Sequence, residues 1–100
     1  MSGKKPRVSI AVPVYNGDNY LVFALETALA QTYSDFEIVI SDNASTDGTE
    51  EICRRFVERD SRVHYYRSEV NHGVYWNFRR ALKLGREPIV VGQPHEVLAI

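Results

Sequence analysis

The densest chemistry in the chain lies in Phe36 to Thr49, FEIVISDNASTDGT, where Asp42 and Asn43 stand together just after an apolar run. A carboxylate beside an amide supplies acceptors and a donor within one turn of chain, and Tyr15, near the end of an earlier apolar run, adds an aromatic ring. Such groups suit a nucleoside better than a bare phosphate. Position matters as much as type, because open α/β sheets hold ligands at the carboxyl ends of their strands. Ile38, Val39 and Ile40 are an unbroken β-branched run, expected of a strand covered on both faces, so Asp42 and Asn43 fall at such an end. Ser45, Thr46, Asp47 and Gly48 then offer caps for a helix beginning near Thr49, and Asp47 is assigned to that structural role.

The elements that must position these groups follow from periodicity. Val8 to Val14, VSIAVPV, reads as a first strand, with Pro13 tolerated near its end. Tyr15 to Asp18 makes a turn. A helix is expected from Asn19 to about Gln31, with Leu21, Leu25, Ala28 and Leu29 inward and Phe23 and Ala24 widening the stripe. The second helix, about Thr49 to Arg59, buries Ile52, Cys53, Phe56 and Val57. Arg62 to Ser68 alternates as an edge strand should, with its cationic tips in water. Gly73 to Leu84 reads as a third helix with Val74, Phe78, Ala81 and Leu82 inward, and Asn71 and Gly73 build its entry. Ile89 to Val91 forms a last strand after Pro88. The order β-α-β-α-β-α-β implies an α/β fold, a mostly parallel sheet with helices on both faces.

Composition narrows the function classes. Twelve basic against thirteen acidic residues give a net charge of -1, so no bulk field draws the chain to nucleic acid or to an anionic membrane. The lone Cys53 excludes an intramolecular disulfide and fits a reducing compartment. No apolar run approaches the roughly 20 residues needed to cross a bilayer. A cytoplasmic domain is expected, preceded by a flexible lead-in over residues 1–6. There is no G-x-G-x-x-G after strand one and no G-x-x-x-x-G-K-[ST], which argues against a dehydrogenase or a P-loop NTPase.

Three stretches together resemble a known family. VSIAVPVYNGDNYL, then ALAQTYSDFEIVISDNASTDGT, then NHGVYWNFRRAL are similar, in order and spacing, to the nucleotide-binding half of family 2 glycosyltransferases. The resemblance covers about Arg7 to Val91 and implies a Rossmann-like GT-A fold, with residues 7–100 the N-terminal part of an incomplete domain. It implies transfer of a glycosyl group from a nucleoside diphosphate sugar to an acceptor hydroxyl. By position, Pro13 and Tyr15 would line the base, and Asp42 and Asn43 would stand at its edge. Many relatives carry a second Asp where this chain has Asn43, whose amide both donates and accepts. If Asp42 serves the ligand alone, Asp42→Ala weakens binding and leaves the melting temperature nearly unchanged. Asn77 and Arg79 would face phosphates or solvent, and Arg79 and Arg80 are read as solvated cations.

The family binds Mn²⁺ or Mg²⁺ through a D-x-D motif after strand four. This chain reads GQPHEVLAI there, which puts His95 and Glu96 in the metal-binding positions. Both types can hold a divalent ion, but a metal needs further ligands. A frayed terminus is the competing reading. The general base and acceptor pocket belong to the later half of the family's domain, so these 100 residues are expected to be inactive alone. The alternative is a non-catalytic nucleotide-binding or protein-interaction module that has lost the metal site.

Overall fold

A computed structural model of the chain describes residues 8–85, 88–91 and 97–99. The elements are β1 (Val8–Val14), α1 (Leu21–Leu29), β2 (Phe36–Asp42), α2 (Thr49–Arg59), β3 (Val63–Arg67), α3 (Val74–Leu84), β4 (Pro88–Val91) and β5 (Val97–Ala99). They build one sheet in the order β3-β2-β1-β4-β5. The first four strands run parallel, as the alternation of strands and helices requires, and β5 lies antiparallel to β4. The sequence reading lacks β5, because a three-residue run carries no usable period.

Side-chain alternation along the strands divides the core between two faces. Ile10, Val12 and Val14 of β1 join Ile38 and Ile40 of β2 against Leu21 and Leu25 of α1 and Cys53 and Phe56 of α2. Ala11 points the other way and meets Ala81, Phe78 and Leu82 of α3. Register then levels the strand ends. Pro13 lies opposite Ser41, Val14 opposite Asp42, and Asp42 opposite Arg67.

Several apolar residues assigned inward are exposed. Phe23 is 66% exposed, because it sits two residues and so about 200° around the helix from Leu21. Val57 is partly outside, and Val74, in the first turn of α3, is 85% exposed. Helix α1 also starts two residues later than expected, since Gly17 O takes the N–H groups of Tyr20 and Leu21 in a turn.

Candidate functional site

The loops after β1 and β2 are tied to each other. Asn16 N–H donates to Ser45 Oγ at 2.8 Å, Gly17 N–H to Thr49 Oγ1 at 2.9 Å, and Asp18 N–H to Asp47 Oδ2 at 3.2 Å. In return Thr46 N–H reaches Asn16 Oδ1 at 2.7 Å and Gly48 N–H reaches Asp18 Oδ2 at 3.0 Å. Ser45 and Thr46 therefore brace the loops instead of capping α2. Asp47 does serve the helix start, its Oδ1 accepting the N–H and hydroxyl of Thr49 at 2.9 and 2.6 Å. Gly17 is required by space: a Cβ there would stand 2.7 Å from Val14 Cγ2. Asn16 and Ala44 adopt φ of 53° and 66°. Asparagine tolerates this region, whereas for alanine it costs about 1–2 kcal/mol, so the surrounding bonds must hold Ala44 in place.

Asp42 is fully buried beneath this braced pair. Its Oδ1 accepts Ser45 N–H at 3.0 Å and Ser45 Oγ–H at 2.6 Å. Its Oδ2 accepts Tyr65 O–H at 2.5 Å and Arg67 Nη1 at 3.2 Å. Burial, followed by the bond to Asp42, pushes the Tyr65 phenol well above its usual range, so it stays a donor. With this many partners, Asp42→Ala must lower stability, and the expectation of an unchanged melting temperature does not hold. Arg67, read as a cation in water, turns its guanidinium onto Asp42 instead.

Asn43 is also buried and clamps the entry to α3. Its Nδ2 donates to Asn71 Oδ1 at 2.9 Å and to Gly73 O at 3.0 Å, while its Oδ1 accepts His72 N–H at 2.9 Å. An aspartate here would set a carboxylate against the carbonyl of Gly73, which gives a structural reason for the amide. Gly73, at φ 96°, lets the chain turn into the helix.

Helix α3 is fastened to the strand ends by polar groups. Asn77 Nδ2 donates to Ser41 O at 2.8 Å and its Oδ1 accepts Ser41 Oγ–H at 2.6 Å, so it faces neither phosphate nor solvent. Arg80 Nε donates to Ser41 Oγ at 2.7 Å and Nη2 to Tyr66 O at 3.0 Å, and the guanidinium lies 5.1 Å from the Trp76 ring. Burial lowers its pKa, with Asp42 opposing. It is no free cation. Sequence spacing gave no sign of Tyr65, Arg67, Asn77 or Arg80 in these roles, because each meets its partner across strands or from another layer.

Of the residues expected to touch a base, Tyr15 is open, with 46% of its surface exposed, and Pro13, two residues before it, is half-buried. Asp42 and Asn43 share that end of the sheet but lie below the surface. His95 and Glu96 lie outside the described residues, as does the lead-in. Among the described residues, no group of three or more His, Cys, Asp or Glu side chains could hold a metal ion. No helix among them is long and apolar enough to cross a membrane.

The family model described as Glycosyl transferase family 2 matches residues 9–92. The chain belongs to this family. Among curated glycosyltransferases, GlyA of Streptococcus pneumoniae is 43% identical over 63% of this chain and 9% of its own length. The putative teichuronic acid biosynthesis glycosyltransferase TuaG of Bacillus subtilis is 34% identical over 83% of this chain and 33% of its own. The family 2 chain thus spans a third or less of these relatives. Its fold matches a mannosyltransferase from Pyrobaculum calidifontis, solved in complex with GDP-Man and Mn²⁺, with a TM-score of 0.77 and 27% identity over 90% of this chain and 28% of that one. TarS of S. aureus matches with a TM-score of 0.75 and 28% identity, over 89% and 16%. The GT-A α/β fold expected from the sequence is therefore the fold of this region.

Proposed function

We propose that this region of a family 2 glycosyltransferase binds the nucleotide of a nucleoside diphosphate sugar at the carboxyl ends of β1, β2 and β3. In the whole protein the glycosyl group would pass to an acceptor hydroxyl, and the 100 residues alone would bind without turnover. The observation that carries this reading is the braced pair of loops after β1 and β2, with the exposed Tyr15 ring at its edge. A rigid strand-end platform with an open aromatic face suits a flat base, and the position agrees with where α/β sheets hold ligands. The similarity to a mannosyltransferase crystallised with GDP-Man and Mn²⁺ supports the ligand class. The Mn²⁺ of the same complex supports divalent-ion use by the whole protein.

Calorimetric titration of the folded chain with uridine, guanosine and thymidine diphosphates and their sugars, with and without Mn²⁺, tests the reading. Binding of at least one is expected, and binding of none by a folded chain would sink it. Tyr15→Ala is expected to weaken the best ligand by about 1 kcal/mol, the low end for a base stacked on an aromatic ring. Its melting temperature should barely move, since the ring is largely outside the core. An unchanged affinity would remove Tyr15 from the site.

A further inference from the structure

Any base that is to use Asp42 meets an obstacle. The carboxylate is fully buried, and each oxygen already accepts two donors, the whole capacity of a carboxylate. One donor must leave before another can arrive, and the four are not equally free. Ser45 N is main chain, and Ser45 Oγ sits at 2.6 Å while itself accepting Asn16 N–H. Tyr65 donates at 2.5 Å from a partly buried ring. Arg67 Nη1 is the most distant, at 3.2 Å, on a side chain 30% exposed. Its Nε already stands 3.8 Å from Oε1 of Glu50 on α2, a second carboxylate, 40% exposed, whose Oε2 holds Arg54 and whose Oε1 is left to receive Arg67.

We propose that Arg67 is an exchangeable cover on Asp42: a base with a ring N–H beside a carbonyl takes its place on Oδ2, and the guanidinium passes to Glu50. This rests on the nucleotide reading above and makes Arg67 a specificity-determining residue acting through Asp42. The coupling follows from charge. Withdrawing Arg67 with no replacement would leave a buried carboxylate short of a donor, which is strongly unfavourable, whereas the displaced cation stays paired at the surface. Uracil, thymine and guanine carry the required N–H. Cytosine and adenine present an unprotonated ring nitrogen at that edge and leave Arg67 where it is.

The test is titration of the intact chain and its variants with the best-binding diphosphate and with its base-methylated form, N3-methyl for a pyrimidine or N1-methyl for guanine. Arg67→Ala frees an acceptor on Asp42 and is expected to tighten the unmodified nucleotide about threefold to tenfold, the net scale of one ordinary hydrogen bond. The gain should vanish with the methylated base. Weaker binding by Arg67→Ala would mean that Arg67 touches the ligand itself, and unchanged binding would mean that no exchange occurs; either overturns the proposal. Should Arg67→Ala not fold, Glu50→Gln decides, since this exposed change removes the receiving charge. It is expected to loosen binding about threefold, in keeping with a surface ion pair, and an unchanged or tighter Kd would overturn the exchange. No binding by the wild type would instead defeat the nucleotide reading, and the exchange with it.

Discussion

The two faces of the sheet are held in different ways. On the α1 and α2 face, eleven buried residues among those described form one apolar cluster. On the α3 face the corresponding cluster among the described residues has two, Ala11 and Ala81, with Phe78 and Leu82 packed at its margin. The α3 face adds direction, through Asn77 and Arg80 bonded to Ser41 and Tyr66. Apolar burial is roughly proportional to area and indifferent to angle, whereas hydrogen bonds fix a helix to particular atoms. Apolar burial on the α1 and α2 face thus does a different job from the polar bonds that set where α3 meets the strand ends.

The largest test of that contrast is a pair of truncations. Ile38→Ala, in the α1 and α2 core, is expected to cost about 3 kcal/mol in urea unfolding, the middle of the range for a buried aliphatic. Leu82→Ala, half-buried on α3, should cost about 1 kcal/mol, because less area leaves water. Equal losses would erase the distinction. Cys53 supplies a second readout, since burial pushes its thiol up to about 12 and the native chain should resist thiol reagents at pH 8. Ile38→Ala should speed that labelling far more than Leu82→Ala.

Next in size is Asn77→Ala, which removes the donor to Ser41 O and the acceptor of the Ser41 hydroxyl proton, leaving that hydroxyl oxygen only Arg80 Nε among the described residues. A loss of about 2 kcal/mol is expected, from leaving buried polar groups unpaired. A cost no greater than that of an exposed alanine substitution would show that α3 is held by its small apolar contact instead.

The same contrast explains what the sequence revealed. The strands and helices that bury long apolar runs announce themselves by period, and β1 and α2 lie where periodicity puts them. The placing of Asp42 and Asn43 at a strand end was equally legible, because it depends only on where an apolar run stops. Their partners were not. Arg67 meets Asp42 through a parallel register 25 residues away, and Arg80 reaches Ser41 across 39. No local pattern encodes such pairings, so residues that look like solvated charges proved to be fastened to the strand end. Nor does a helical stripe tell which turns extend beyond the sheet, as the exposed Val74 shows.

A smaller effect concerns the strained link between Asn43 and Ser45. Ala44→Gly removes a left-handed penalty of about 1–2 kcal/mol, less about 0.4–1 kcal/mol for the added freedom of glycine in the unfolded chain. The variant should be more stable by up to about 1.6 kcal/mol in denaturant unfolding. If the braced loops impose the conformation, nucleotide affinity should stay the same, because Ser45 and Asn16 still hold the turn. A destabilised variant would mean that the methyl group makes packing contacts worth more than the strain.

The smallest effect lies away from both faces, at the opposite end of the sheet. Asp60, after α2, accepts Arg62 N–H at 2.9 Å, Nε at 3.1 Å and Nη2 at 2.9 Å. The Arg62 guanidinium, working against partial burial, holds the Asp60 carboxyl below its usual value of 3.8. A depressed folded-state pKa contributes stability that is complete above the unfolded value and lost as pH falls through the folded one. Asp60→Asn should therefore cost under about 1 kcal/mol at pH 7, as expected for a partly exposed ion pair, and its stability curve should converge on that of the wild type as pH drops below 3.8. A gap that persisted at pH 2 would show that Asp60 acts through hydrogen-bond geometry alone. In that event this end of the sheet, like the α3 face, would be held by direction and not by charge.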